Sequence, residues 1–427
     1  MINVLITQVT ENDWARHKKA TGPPFNEQNN KIVWTEALFQ AQGMLQYWQE
    51  SSSVHTTAEE TKTFSLNVLS KAGFGKSYPF KARTELKDDR HSMTYKDSLS
   101  IILEHALIIL LIGPKFLLRW KSFLPKSWAK VSQATVEFQA YMSEMLQEER
   151  QNIADGKPSA GNLMTSLIRA AEVEEKPSDG GKRQMVLSES EIFGNIFVFN
   201  FAGHDTISHT LAYALTLMAA HPEVQSWVSE EIRHVFPNDD TTAWDYDKFP
   251  QLQRCLAVLL ETVRLYNPLV AFVKSTGNIP RTLTYKSHLL NLPPNTMVIP
   301  NLSAIHTYPK YWGNNSLEWN PQRWIQPAQT ESSTALAETL WMPTKGSYLP
   351  WSDGPRGCPG KKFSQVEFVA ALAVLFRSHK MEIIRNSTIE TQKQAEARIQ
   401  TVVDNSAMVL LFQMLKPEEA VVRWVSN

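Results

Sequence analysis

Of the two cysteines in this 427-residue chain, only Cys358 stands where a thiolate would be held for chemistry. It lies in Trp351-Ser-Asp-Gly354-Pro-Arg356-Gly-Cys358-Pro-Gly360, and a helical pattern follows directly at 361–376. A thiolate just ahead of a helix is stabilised by the positive end of the helix dipole and by free backbone N–H groups, as an anionic metal ligand requires. The flanking glycines let backbone approach a flat cofactor closely. Arg356, two residues from the cysteine, can pair with a carboxylate of that cofactor. Cys255 lies on an apolar helix face and reads as a small buried hydrophobe.

A second group of residues interrupts an apolar run. Ala202-Gly203-His204-Asp205-Thr206 puts a glycine, a carboxylate and a hydroxyl inside a predicted helix. Gly there costs about 1 kcal/mol against Ala, and a buried carboxylate needs partners. Two readings fit. In one, Gly203 opens a groove where Asp205 and Thr206 deliver protons through water. In the other, Asp205 faces solvent and Thr206 bonds back to its own helix. Elsewhere, Glu261 and Arg264 stand at i and i+3 on a predicted helix, and Arg323 occurs in Pro321-Gln322-Arg323-Trp324. Trp14 and Lys18, in Trp14-Ala-Arg-His-Lys18, present an indole N–H and an ammonium on a basic helical segment.

Helices must position most of these groups. Ser188 and Glu191 form a capping box, and the apolar run 192–220 predicts a long central helix closed by His221-Pro222. A second helix is predicted over 251–266, ended by Pro268. Residues 282–300 suit a small hairpin with Pro293-Pro294 at its turn. Residues 308–360 are aromatic and rich in Pro, Gly and Asn, with little periodicity, as a functional irregular stretch would be. The expected class is mainly α with small β-sheets, one domain over 1–427.

Composition narrows the function. Lys plus Arg equal Asp plus Glu at 43 each, so no net field draws nucleic acid to the chain. With 43% hydrophobic residues the chain can bury a large core, and a small neutral or apolar substrate suits it. The most apolar stretch, 99–118, is broken by Glu104, His105, Gly113, Pro114 and Lys115, too short an uninterrupted run to cross a bilayer, and reads as a buried helix, or else as an interfacial surface.

The Cys358 loop resembles the haem-ligand loop of the cytochromes P450, Phe-x-x-Gly-x-Arg-x-Cys-x-Gly, departing only where Trp351 replaces Phe. Ala202 to Thr206 is similar to that family's Ala-Gly-x-Asp/Glu-Thr motif, in which the His204 position varies and carries no assigned role. The resemblance implies a haem with Cys358 as axial thiolate, a known property of the family, and dioxygen held beside Asp205 and Thr206. It implies Trp14, Lys18 and Arg356 at the haem propionates, with Lys274 a weaker further candidate. It also implies a structural cluster of Glu261, Arg264 and Arg323 locking the loop beneath the haem. The reaction implied is mono-oxygenation of a lipid or secondary metabolite, with electrons from a reductase. The location implied is the cytoplasmic face of the endoplasmic reticulum, with membrane association through a surface or through an anchor outside this chain.

Only thirteen residues precede Trp14, fewer than in the family, so the chain reads as N-terminally incomplete. Two other readings stay open. One is a haem-thiolate isomerase or dehydratase, against which the intact Asp205-Thr206 pair argues. The other is a truncated, non-catalytic haem-binding or apo protein.

Overall fold

A computed structural model describes residues 11–81, 91–105, 109, 125–157, 161–172, 187–327 and 338–427. Nine helices come first among these residues: α1 Glu11–Thr21, α2 Glu27–Gln49, α3 Thr57–Phe74, α4 Tyr95–Glu104, α5 Lys126–Ala154, α6 Leu163–Glu172, α7 Glu189–Ala220, α8 Pro222–Val235 and α9 Gln253–Leu265. Two short helices, α10 Leu302–Thr307 and α11 Pro309–Trp312, precede α12 Lys361–Arg377 and α13 Gln392–Asp404. The strands are short and pair antiparallel in twos: β1 Lys274–Ser275 with β4 Met297–Val298, β2 Arg281–Tyr285 with β3 His288–Leu292, β5 Ile325–Pro327 with β6 Glu338–Leu340, β7 His379–Ile383 with β10 Val422–Ser426, and β8 Ser406–Met408 with β9 Phe412–Met414.

The long helix begins where the capping box puts it. Ser188 accepts the Glu191 N–H, and the Glu191 carboxylate accepts the Ser188 N–H at 2.7 Å. From there α7 runs through two cores. Its first turns, with Ile192, Ile196 and Phe197, pack into a cluster built with α4, α5 and α6. Its last turns, from Ile207 to Ala219, pack into the larger cluster with α2, α3, α8, α9, α12 and α13. The polar motif at 203–206 falls at the joint between the two, where a break in apolar packing costs least.

Two expectations shift. The hairpin turns at Lys286-Ser287, with Lys286 at φ 54°, and Pro293-Pro294 instead follow its second strand. No glycine or asparagine marks the true turn, whereas prolines, which lack the N–H a ladder needs, end the pairing. The helix expected over 251–266 is Gln253–Leu265, preceded by a tighter 3-10 turn, Tyr246–Gln251, that holds Pro250. Within 99–118, Leu99 and Ile102 are buried on α4, while 110–124 lie outside the described residues. No helix among the described residues is long and apolar enough to cross a membrane.

One core group sits uneasily. Glu367, on the apolar helix α12, is fully buried, and neither carboxyl oxygen has a well-formed hydrogen bond among the described residues. Burial pushes its carboxyl well above the ordinary range, and the nearby Ser65 hydroxyl offsets only part of this. An acid held neutral in the fold but free to ionise when unfolded stabilises fully below its unfolded pKa and progressively less as pH rises above it. The loss is about 1.4 kcal/mol per pH unit for one proton. Glu367→Gln, which keeps the shape and removes the titration, should therefore gain on the parent in urea midpoint as pH rises from 5 to 8. A constant gap across that range would show that Glu367 is ionised in the fold.

Candidate active site

The lock beneath the cysteine loop is built on one carboxylate. Glu261 is completely buried on α9 and accepts from Arg264 Nε and Nη2, Arg323 Nε, the Asn320 N–H and the Trp324 indole, all at 2.8–2.9 Å. Arg264 spends its other donors on the carbonyls of His306, Ser316 and Glu318. Arg323 reaches the carbonyls of Asn315 and Glu318. The expected Glu-Arg-Arg cluster is thus a cage that closes the irregular stretch 312–324 onto α9.

From that cage the cysteine loop is hung by individual bonds. His306 Nδ1 lies 3.2 Å from the Arg264 carbonyl, and its Nε2 accepts the Leu349 N–H at 2.9 Å. This assigns a neutral imidazole with the proton on Nδ1. The Tyr348 hydroxyl donates to the Leu260 carbonyl. The Trp351 indole donates to Ser364 on α12, and the Trp351 carbonyl accepts the Cys358 N–H at 2.9 Å. The aromatic residue that departs from the family pattern therefore pins both ends of the loop. Between them the chain doubles back through Ser352 at φ 60° and Gly354 at φ 81°.

Cys358 is open on one side, yet protein surrounds the rest of it closely enough that burial pushes its thiol up, with the Gly360 N–H opposing. The help expected from the helix start is present and outweighed. A thiol in this state becomes a thiolate when a metal coordinates it. Among the described residues no three His, Cys, Asp or Glu side chains gather as a metal-holding group. A metal carried in by its own macrocycle, needing one protein ligand, is what this donor set fits.

The three residues expected at a cofactor's carboxylates do come together. Lys18 Nζ donates to the Pro355 carbonyl at 3.2 Å and lies 4.8 Å from the centre of the Trp14 ring. The Arg356 guanidinium sits 5.0 Å from the same ring centre. Two cations around an indole at the edge of the cysteine loop suit an anionic group. Helix α1, which carries Trp14 and Lys18, is moored to α7. Arg16 grips Glu191 at 3.0 and 2.5 Å, and His17 Nδ1 lies 3.1 Å from the Asn195 side-chain oxygen. The Arg16 bonds hold the Glu191 carboxyl down to about 2. Lys274 is exposed on β1, with its ammonium over the Phe272 ring.

On α7 the second reading of the polar motif is realised in part, while the groove expected at Gly203 is taken up by the Leu69 methyls, 3.4 Å from where a Cβ would stand. The Thr206 hydroxyl donates back to the Ala202 carbonyl at 2.6 Å. Asp205 does not simply face solvent: its carboxylate is 3.1 Å from His204 Nδ1. Burial pushes that carboxyl up, but His204, His209 and Lys62 hold it below the usual aspartate range. A cleft of about 1220 Å³ between α8 and β7, lined by Gln225, Ser229, Arg233 and Met381, contains none of these residues. The site rests on its side chains and not on that cavity.

Comparison with known proteins decides the family: a model of cytochrome P450 matches residues 3–409. The chain belongs to the cytochrome P450 family. It is 29% identical to a cytochrome P450 monooxygenase of Arthrobotrys oligospora, over 95% of this chain and 73% of that protein. It is 30% identical to one of Postia placenta, over 97% of this chain and 75% of that protein. A phomenoic acid biosynthesis cluster cytochrome P450 monooxygenase of Leptosphaeria maculans is 28% identical over 92% of this chain and 70% of its own length. Among solved structures, a cytochrome P450 crystal structure superimposes with a TM-score of 0.71 at 18% identity, covering 98% of this chain and 83% of that one. This P450 is accordingly a haem-dependent mono-oxygenase with a cysteine-ligated haem, a small-molecule substrate and a redox partner.

Sequence reasoning missed His306, Trp324 as a donor to Glu261, and the placing of His204 against Asp205. For His306 burial pushes the imidazole down to about 4, the Arg264 carbonyl opposing. A histidine held neutral contributes stability that is complete above its unfolded pKa of about 6.5 and is lost as pH falls toward about 4. His306→Ala should cost roughly 1–3 kcal/mol at pH 7.5 by leaving the Leu349 N–H unpaired. The difference from the parent should narrow as pH falls from 6.5 to 4, read by denaturant midpoints. A difference that widened over that range would place the proton on His306 in the fold.

Proposed function

We propose that this P450 inserts one oxygen atom of dioxygen into a C–H bond or double bond of an apolar small molecule, a lipid or secondary metabolite, with Cys358 as haem ligand. The observation that carries the reading is the Cys358 loop, a thiol open on one side, pinned by Trp351 and bordered by the Trp14, Lys18 and Arg356 stack. When bound, the haem supplies dioxygen activation, thiolate donation favouring O–O cleavage.

The chain's own residues bind, orient and move protons. Arg356 and Lys18 offer cations, and Trp14 an indole N–H, to the propionates. Thr206, by donating to the Ala202 carbonyl, keeps its hydroxyl oxygen oriented with lone pairs free to accept a hydrogen bond. Asp205, ionised at neutral pH, can accept a proton relayed from bulk solvent and pass that proton on through water. An intact Asp205-Thr206 pair favours oxygen insertion over isomerase or dehydratase chemistry, which needs no such delivery. The likeness to the phomenoic acid cluster mono-oxygenase favours a secondary metabolite. We read 1–427 as one catalytic domain served by a reductase. Placement at the cytoplasmic face of the endoplasmic reticulum, through a surface or an anchor outside this chain, rests on family likeness alone.

In the haem-loaded protein, Cys358→Ala should abolish the red-shifted Soret band of the reduced, carbon-monoxide-bound form, while Cys255→Ala keeps it. The reverse result would move the ligand to Cys255. With a turned-over substrate in hand, Thr206→Ala should retain that band and lower product formed per electron consumed by roughly ten-fold or more. Unchanged coupling would remove Thr206 from proton delivery.

A further inference from the structure

His204 lies in the middle of α7, at a motif position without a settled residue type, yet it is buried, its side chain 7% exposed. The α3 helix encloses this turn. Ser65 donates its hydroxyl to the His204 carbonyl at 3.2 Å, and the Leu69 methyls lie 3.4 Å from where a Cβ on Gly203 would stand. A carbonyl that accepts a side-chain hydroxyl and a glycine filled by a neighbouring leucine fix the turn on which His204 and Asp205 ride. Adjacent residues on a helix point about 100° apart, so a contact between their side chains forms only if one leans toward the other. Here the Asp205 Oδ1 comes within 3.1 Å of His204 Nδ1, an ion-pair distance, and that buried nitrogen has no other aligned hydrogen-bond partner among the described residues.

We propose that His204 is a positioning residue that fixes the Asp205 carboxylate against the α3 side of α7 and keeps it ionised between turnovers. The proposal rests on the reading of Asp205 as a proton carrier and adds to it the residue that sets when Asp205 takes its proton. The charged and titratable groups acting on Asp205 are His204 and His209 on its own helix and Lys62 on α3, and the side-chain contact with His204 is the largest of the favourable influences. His209, one turn along, is driven down to about 4, chiefly by burial, and is neutral at physiological pH. Glu367 of α12, on the far side of Ser65, is kept neutral by burial. Lys62 and His204 thus remain to hold the charge of Asp205. Without His204 the carboxylate keeps only the lysine, and its protonation should move to higher pH.

The test uses His204→Leu, which removes the ring nitrogen, and His204→Gln, which returns a polar group at similar reach. Both are prepared as haem-loaded protein, with the reduced carbon monoxide band as the check that fold and ligand are intact. Infrared difference spectra across pH, assigned by their loss in Asp205→Asn, read the Asp205 carboxyl directly and independently of turnover. His204→Leu should shift that titration to higher pH and displace the pH profile of coupling in the same direction, and His204→Gln should restore part of both. A titration identical in His204→Leu and parent would overturn the proposal. Asp205→Asn with unchanged coupling would instead overturn the proton-carrier reading, leaving the infrared shift to judge the contact between His204 and Asp205.

Discussion

The structure hangs on a single buried charge. Glu261 has no water to solvate it, and five donors from four residues of two distant segments replace that water. Taking a carboxylate out of water costs several kcal/mol, and removing one partner of such a pair costs about 3–5 kcal/mol because the other charge is stranded. Replacing the whole set with apolar residues is often neutral in energy, so stability alone does not explain the arrangement. What apolar packing lacks is direction. Arg264 and Arg323 use their remaining N–H groups on named carbonyls between His306 and Glu318, and this gives a stretch that holds only the end of α10 and the short α11 one fixed path.

The path matters because the next links depend on it. Once the His306 carbonyl is held by Arg264, its imidazole can bridge back to α9 and forward to Leu349, and Leu349 begins the turns that lead through Trp351 to Cys358. The opposite wall is tied down by the same means at lower cost. Glu191 caps α7 and grips Arg16, so the register of α7 and the seat of Trp14 and Lys18 share one carboxylate. Two acids outside the proposed chemistry, Glu261 and Glu191, thereby position the residues to which it is assigned.

How much of this the sequence disclosed follows from the range of each interaction. The capping box, the long helix, the cysteine ahead of α12 and the i, i+3 pair of Glu261 and Arg264 are local, and spacing along the chain is enough to find them. Arg323 joins Glu261 across 62 positions, and only family likeness pointed to it. His306 and Trp324 act over 42 to 63 positions with no motif of their own, so nothing along the chain marks them. The hairpin turn was misplaced for the opposite reason: a local rule was followed, and Lys286 took a left-handed conformation without the residue types that usually signal one. His204 was passed over because its role comes from the wall α3 builds around it, and a helix pattern does not show which neighbour covers which face.

That wall accounts for a contrast within the site. Cys358 and Asp205, the proposed ligand and the proposed proton carrier, would both work as anions, and burial pushes both toward their neutral forms. Around Cys358 only a backbone N–H opposes burial, so the thiol stays protonated until a metal takes the place of the proton. Around Asp205 a histidine contact and a lysine outweigh burial, so the carboxylate is charged with no metal present. The difference suits the two tasks. A ligand has to give up its proton once, when the cofactor is installed, whereas a carrier has to take up and release one in every cycle and must rest in the form that accepts.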